Sequence, residues 1–114
     1  MSLRLHLVEY IEQHQDSNRA ILVSVSVQLL DDLDVEEFRL LAQSAGAEIL
    51  EHITAQRIKP DPKLFIGSGK AEEIAELAKA LEADLVIFDH ALSPSQERNL
   101  ERVMQCRVID RTRL

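Results

Sequence analysis

The chain lacks tryptophan and has one tyrosine and three phenylalanines, so aromatic residues make up only 4% of it. Its core must therefore be assembled from Leu, Ile, Val and Ala. Cys106 is the single cysteine, which excludes an intrachain disulfide. His6, His14, His52 and Cys106 show no ligand spacing, so no zinc or other metal site is expected. No apolar run approaches the roughly 20 residues that cross a bilayer. Residues 1–19 lack the apolar stretch and cleavage site of a secretory leader. Low-complexity tracts, internal repeats and interdomain linkers are missing too. These absences predict a cytoplasmic chain with no membrane partner, organised as one domain. At 114 residues it can bury a core without metals or disulfides.

What is present is an uneven charge. The formal net charge of −7 argues against a general nucleic-acid or membrane binder. Residues 1–56 hold ten acids against Arg4, Arg19 and Arg39, whereas residues 57–114 hold ten acids and ten bases. Arg57, Lys59, Lys63 and Lys70 share their stretch with one acid, Asp61, and the tail carries Arg98, Arg102, Arg107, Arg111 and Arg113. An acidic protein can thus own a basic working edge, although dispersed surface charge explains the numbers about as well.

Hydrophobic periodicity predicts alternating strands and helices. "AILVSVSVQLL" (20–30) reads as a strand covered on both faces. Asp34 is expected as the N-cap of a first helix, with Glu37 as reciprocal partner. Val35, Phe38, Leu41, Ala42 and Ala45 form its apolar stripe, and Gly46 ends it. "AEILEHITAQR" reads as a second strand with Ile49 and Ile53 inward. Pro60 and Pro62 rule out a regular element in "RIKPDPK", and "LFIG" reads as a short extended piece. A second helix is expected from Gly69 to Glu82, with Ile74, Leu77, Ala78 and Leu81 on its apolar face. "DLVIFD" is a third strand. Ser93, Pro94 and Gln96 start a third helix, and "CRVID" is a fourth strand. The expectation is a small three-layer α/β domain, a four-stranded mainly parallel sheet flanked by helices, in the order 2-1-3-4. Ligands of such sheets bind beyond the carboxyl ends of the strands, where the order reverses.

The stretch GSGK, Gly67 to Lys70, invites comparison with phosphate-binding loops. A Walker A loop needs G-x-x-x-x-G-K-[ST], yet Leu64 stands where its first glycine belongs and Ala71 where its hydroxyl belongs. The dinucleotide pattern G-x-G-x-x-G fails at Glu72. What remains is a helix N-terminus with one lysine, read as a structural cap in preference to an anion contact. Glu72 and Glu73 are expected in its first turn. Gly67, Ser68, Gly69 and Lys70, with Asp89 and Ser93 after the third strand, form the candidate nucleotide or anion set. Asp31, Asp32 and Asp34 read as a solvated turn in preference to a magnesium site. Asp89 and His90 are neighbours that point apart, so no catalytic pairing is assigned. Arg98, Asn99 and Arg102 could form a phosphate-seeking helix face, while Glu97 and Glu101 could pair with them instead.

Taken together, "SAGAE", R-x-K-P-D-P-K-x-F-I-G-S-G-K, "IFDHALSPSQERNLE" and "RVIDRT", in this order over residues 40–112, strongly resemble the N-terminal domain of HflX-type GTPases. The domain would occupy 20–114, with 1–19 a variable lead-in that shows little resemblance and is compatible in part with an expression leader. The family usually follows Asp-Arg-Thr with glycine, where this chain has Arg113. The resemblance implies a ribosome-associated GTPase that binds the large ribosomal subunit and splits or rescues ribosomes. In the family this domain precedes a helical hairpin and a G domain, which are its intrachain partners. GTP and Mg²⁺ belong to that G domain, and ATP binding has been attributed to the N-terminal part of some members. This chain carries neither a Walker A loop nor N-K-x-D, so it is expected to catalyse nothing by itself and to need no cofactor. The leading expectation is an rRNA-contacting domain that uses Arg57, Lys59, Lys63, Lys70, Arg98, Asn99, Arg102 and Arg111. A nucleotide-binding or weak ATPase module, and a structural domain packing on its own G domain, are the alternatives.

Overall fold

The structure, a computed structural model, describes residues 18–25, 32–55 and 62–110. The elements run β1 (Arg19–Val25), α1 (Asp32–Ser44), β2 (Glu48–Ala55), α2 (Ser68–Leu81), β3 (Leu85–Phe88), α3 (Pro94–Met104) and β4 (Arg107–Asp110). The four strands form one sheet in the order β2-β1-β3-β4, and each neighbouring pair is parallel. The expected α/β class, strand order and three layers are all present.

Strand β1 runs through the middle, and Ala20 to Val25 are buried along its whole length. Its alternate residues feed two cores. Ile21, Val23 and Val25 join Ala71, Ile74 and Ala78 of α2 and Leu100 and Met104 of α3. Ala20 and Leu22 join Phe38 and Ala42 of α1, and Ala45 just past its end, on the other face. A strand wrapped in this way must be apolar on both sides, which is why the sequence shows a continuous apolar run there.

Strand β2 departs from the expected alternation. Ala20 pairs with Ile49, but Ile21 pairs with Glu51, so Leu50 is an extra residue in a β-bulge. The extra residue inverts the side-chain parity of the strand. Ile49 therefore packs on the α1 side and Ile53 on the α2/α3 side, not on one inward face.

The helix ends explain most of the loop geometry. Helix α1 begins at Asp32, so Asp34 lies inside the helix and is not its N-cap. At its far end Gly46 takes φ 104°, and Ala47 N–H returns to Ala42 O at 3.1 Å, a Schellman closure. Glu82 makes the same closure for α2 with φ 55°, where no glycine marks the stop. Arg19 completes that end: its Nη2 donates to Leu81 O at 2.7 Å and its Nε to Glu82 O at 3.2 Å. A cation placed on terminal carbonyls also complements the helix dipole.

Between β1 and β2, the fully buried Ser24 hydroxyl lies 2.7 Å from Nε2 of half-buried His52, and Phe38 of α1 meets the imidazole edge to face at 5.8 Å. Burial depresses the His52 pKa below 6.5, Arg39 lowers it further, and Glu36 and Glu51 only partly oppose this. The folded state therefore binds fewer protons here than the unfolded chain. His52 should contribute its full stability above pH 6.5 and lose it as pH falls through the depressed folded value. Urea midpoints measured at pH 7.5 and 5 should fall with acid in the wild type and fall less in His52→Gln.

Candidate functional site

The carboxyl ends of β1 and β3 face the point where the strand order reverses. Asp89 N–H donates to Val23 O at 2.8 Å, carrying the β1–β3 ladder one step past Phe88. Two loops converge beyond it, residues 62–67 ahead of α2 and residues 89–93 ahead of α3.

The first loop is anchored by Leu64, Phe65 and Ile66, all buried, while Lys63 is exposed. It is not the extended piece that the sequence suggests. Ile66 N–H donates to Leu64 O at 2.7 Å, closing a tight three-residue turn with Phe65 at φ 67°. That conformation is costly for a bulky residue. Gly67 follows at φ 81° as N-cap of α2, where only glycine is unstrained.

No side chain caps the amides that open α2. Its first turn contains Lys70 and no acid, because the helix starts at Ser68 and leaves Glu72 and Glu73 beyond that turn. The expectation that they neutralise the helix end is thus overturned. Lys70 Nζ lies 3.7 Å from Glu73 Oε1, and the carboxylate is 68% exposed, so water screens the pair heavily. This is an electropositive helix end with a cation beside it.

The second loop is fixed from three sides. Asp110, 1% exposed, accepts Leu92 N–H on Oδ2 at 2.7 Å. Ser93 and Gln96 form the expected capping box at α3, so the Ser93 hydroxyl is engaged by its own helix. Exposed His90 lies over Phe65 with ring centroids 4.5 Å apart and planes at 33°. Its Nδ1 is 3.0 Å from Ala91 O. A carbonyl only accepts, so Nδ1 carries the proton in this contact.

Asn99 ties the two loops' supports together. Its Nδ2 donates to Lys63 O at 3.0 Å, bridging α3 and the lysine loop. The lysine loop therefore lies against α3 at Asn99. Arg98 and Arg102, one turn apart on α3, are both exposed. Neither makes an ion pair with a described residue. Arg57, Lys59 and Arg111 lie outside the described residues. Asp89 is half-buried and hydrogen-bonded by its backbone to β1.

Several features escaped the sequence pattern. Glu97, expected on the surface, is 6% exposed. Glu101 turns toward β4, where it accepts Val108 N–H at 3.1 Å and faces Arg107 at 3.9 Å. The Phe65–His90 stack joins residues 25 apart in sequence, and no local signal marks it. Burial, helped by Glu101 and Asp84, pushes the Cys106 thiol up to about 11, so it holds no ready thiolate. Among the described residues no His/Cys/Asp/Glu group is arranged to hold a metal, and no helix is long and apolar enough to cross a membrane.

The family model described as GTP-binding GTPase N-terminal matches residues 32–114. The GTPase HflX of Escherichia coli is 52% identical over 104 residues, covering 90% of this chain and 24% of that protein. The GTPase HflX of Thermococcus kodakarensis is 44% identical over 78 residues, covering 68% and 17%. That of Flavobacterium psychrophilum is 34% identical over 80 residues, covering 70% and 19%. The chain thus spans about a quarter or less of each of these relatives. Among solved structures, a FpvC mutant from Pseudomonas aeruginosa has a TM-score of 0.48 at 11% identity, covering 95% of this chain and 34% of that one.

Replacing Asn99 with Ala should cost about 1 kcal/mol and release the lysine loop while leaving the sheet intact. Hydrogen exchange at Ile66 should accelerate in this variant, with exchange in β1 unchanged.

Proposed function

The chain belongs to the GTP-binding GTPase N-terminal family, of the HflX type, and on that footing we propose that it is the ribosome-contacting domain of a larger GTPase. Its partners are the large ribosomal subunit and rRNA, together with the hairpin and G domain of the same protein. GTP and Mg²⁺ act in that G domain, and the whole protein splits or rescues ribosomes. The contact is made to RNA phosphates, which supply affinity and register without reading sequence.

The observation that carries this reading is the Asn99–Lys63 bridge. It brings the lysine loop against the helix that bears Arg98 and Arg102, which supports assigning these charges, distant in sequence, to one contact edge of an acidic protein. Lys70, in the first turn of the uncapped α2, is assigned to the same edge. Arg57, Lys59 and Arg111 complete the proposed set.

In the full-length protein, reversing Lys63, Arg98 and Arg102 to Glu should weaken binding to purified large subunits. Each phosphate contact contributes roughly 0.7–0.9 to the slope of log affinity against log salt, so the slope should flatten by about 2. Binding and slope identical to wild type would sink the assignment and favour a domain that only packs on its own G domain.

A second reading, a nucleotide-binding module centred on Gly67 to Lys70, Asp89 and Ser93, draws on one observation. The N-terminus of α2 has neither a side-chain cap nor an acid in its first turn. Calorimetric titration with ATP and Mg²⁺ decides it. Saturable heat abolished by Lys70→Glu would support the module, and no heat at millimolar ligand would remove it.

A further inference from the structure

We infer that the His90 ring is a stacking platform for an unpaired nucleobase, so that the edge grips a splayed nucleotide and not only a string of phosphates. The inference rests on the RNA-contacting reading above and gives it a ligand class. His90 is exposed at the tip of the 89–93 loop, yet its ring is held. One face lies on Phe65 at 4.5 Å, and Nδ1–H is tied to Ala91 O at 3.0 Å. A planar ring fixed in advance loses little rotamer freedom when a base settles on it. Histidine is one of the side chains on which splayed RNA bases stack.

The support beneath the ring is unusual. Phe65 is 5% exposed and keeps φ 67°, a conformation retained only where its surroundings over-determine it. What the turn accomplishes is to set a phenyl ring under His90 while Gly67, two residues on, opens α2. The platform therefore adjoins an electropositive helix end with Lys70 in its first turn and no acid there. A flat ring beside an anion-favouring helix end matches the base and phosphate of a single nucleotide. Paired bases inside an A-form duplex offer their faces only to each other, so the fitting ligand is a nucleotide in a loop, bulge or strand end.

The test uses the full-length protein, fluorescently labelled and titrated onto purified large ribosomal subunits across a salt series. His90→Phe, His90→Leu and His90→Ala are compared with Lys63→Glu. Stacking of one base is worth enough for a loss of roughly tenfold or more. His90→Phe should bind as wild type, while His90→Leu and His90→Ala should lose about tenfold at every salt concentration with an unchanged salt slope. Leu keeps apolar packing on Phe65 without a stacking plane, so Leu binding as tightly as Phe would overturn the platform in favour of packing alone. Equal losses in all three variants would overturn it in favour of a polar contact at Nε2. Wild-type binding in all three, with Lys63→Glu weakened, removes the platform and leaves the phosphate contact standing. If Lys63→Glu also binds as wild type, both readings fail.

Discussion

A parallel sheet must be covered on both faces, and the whole arrangement here follows from how β1 meets that demand. Its residues Ala20 to Val25 are buried and divide between a core under α1 and a core under α2 and α3. Burying each such apolar side chain is worth about 1.5–3 kcal/mol before entropy is counted. The strand therefore fixes where the three helices can sit. It also fixes where the chain leaves the sheet, because β3 pairs along β1 in register and Asp89 continues that pairing at Val23. The loops at the carboxyl end thus inherit their positions from the buried centre of the sheet.

From that frame outward, the two loops are held by two hydrogen bonds and one ring contact. Asp110 holds Leu92 from beneath, Asn99 holds the Lys63 carbonyl at the surface, and the Phe65–His90 contact joins the two loops at the top. Each tie uses a side chain from an element that the core has already placed. A surface rich in lysine and arginine ordinarily samples many geometries. Here the backbone of Lys63 is pinned even though the residue is exposed.

Much of this was legible in the sequence because it is local. The continuous apolar run of β1, the Ser93–Pro94–Gln96 start of α3 and the alternation of strand and helix each rest on short-range chemistry. Together they settle class, layers and strand order. Three features were illegible for physical reasons. The bulge at Leu50 depends on how β2 aligns with β1, which an alternating pattern does not encode. The start of α1 at Asp32 defeats a capping argument based on Asp34, since several aspartates compete for that role. The positive φ of Phe65 runs against the residue's own preference and is imposed by tertiary contacts. The basic residues proposed for the contact could be picked out by composition, but the tie between the lysine loop and α3 is an asparagine side chain on a backbone carbonyl. GSGK changed meaning in the same way, since Gly67 serves as N-cap and Glu72 and Glu73 lie past the first turn.

The bulge in β2 has a consequence for the molecule in a crowded solution. Among the described strands β2 is an outer one, eight residues long, and a long regular outer strand is a template on which a second chain can add itself. An extra residue interrupts the even row of donors and acceptors and increases local twist, and charged side chains along a rim discourage close approach. With Leu50 inserted and the exposed Glu48 and Glu51 on either side of it, the rim is a poor surface for edge-to-edge growth. The same irregularity that divides Ile49 and Ile53 between two cores thereby discourages a second copy from pairing along β2.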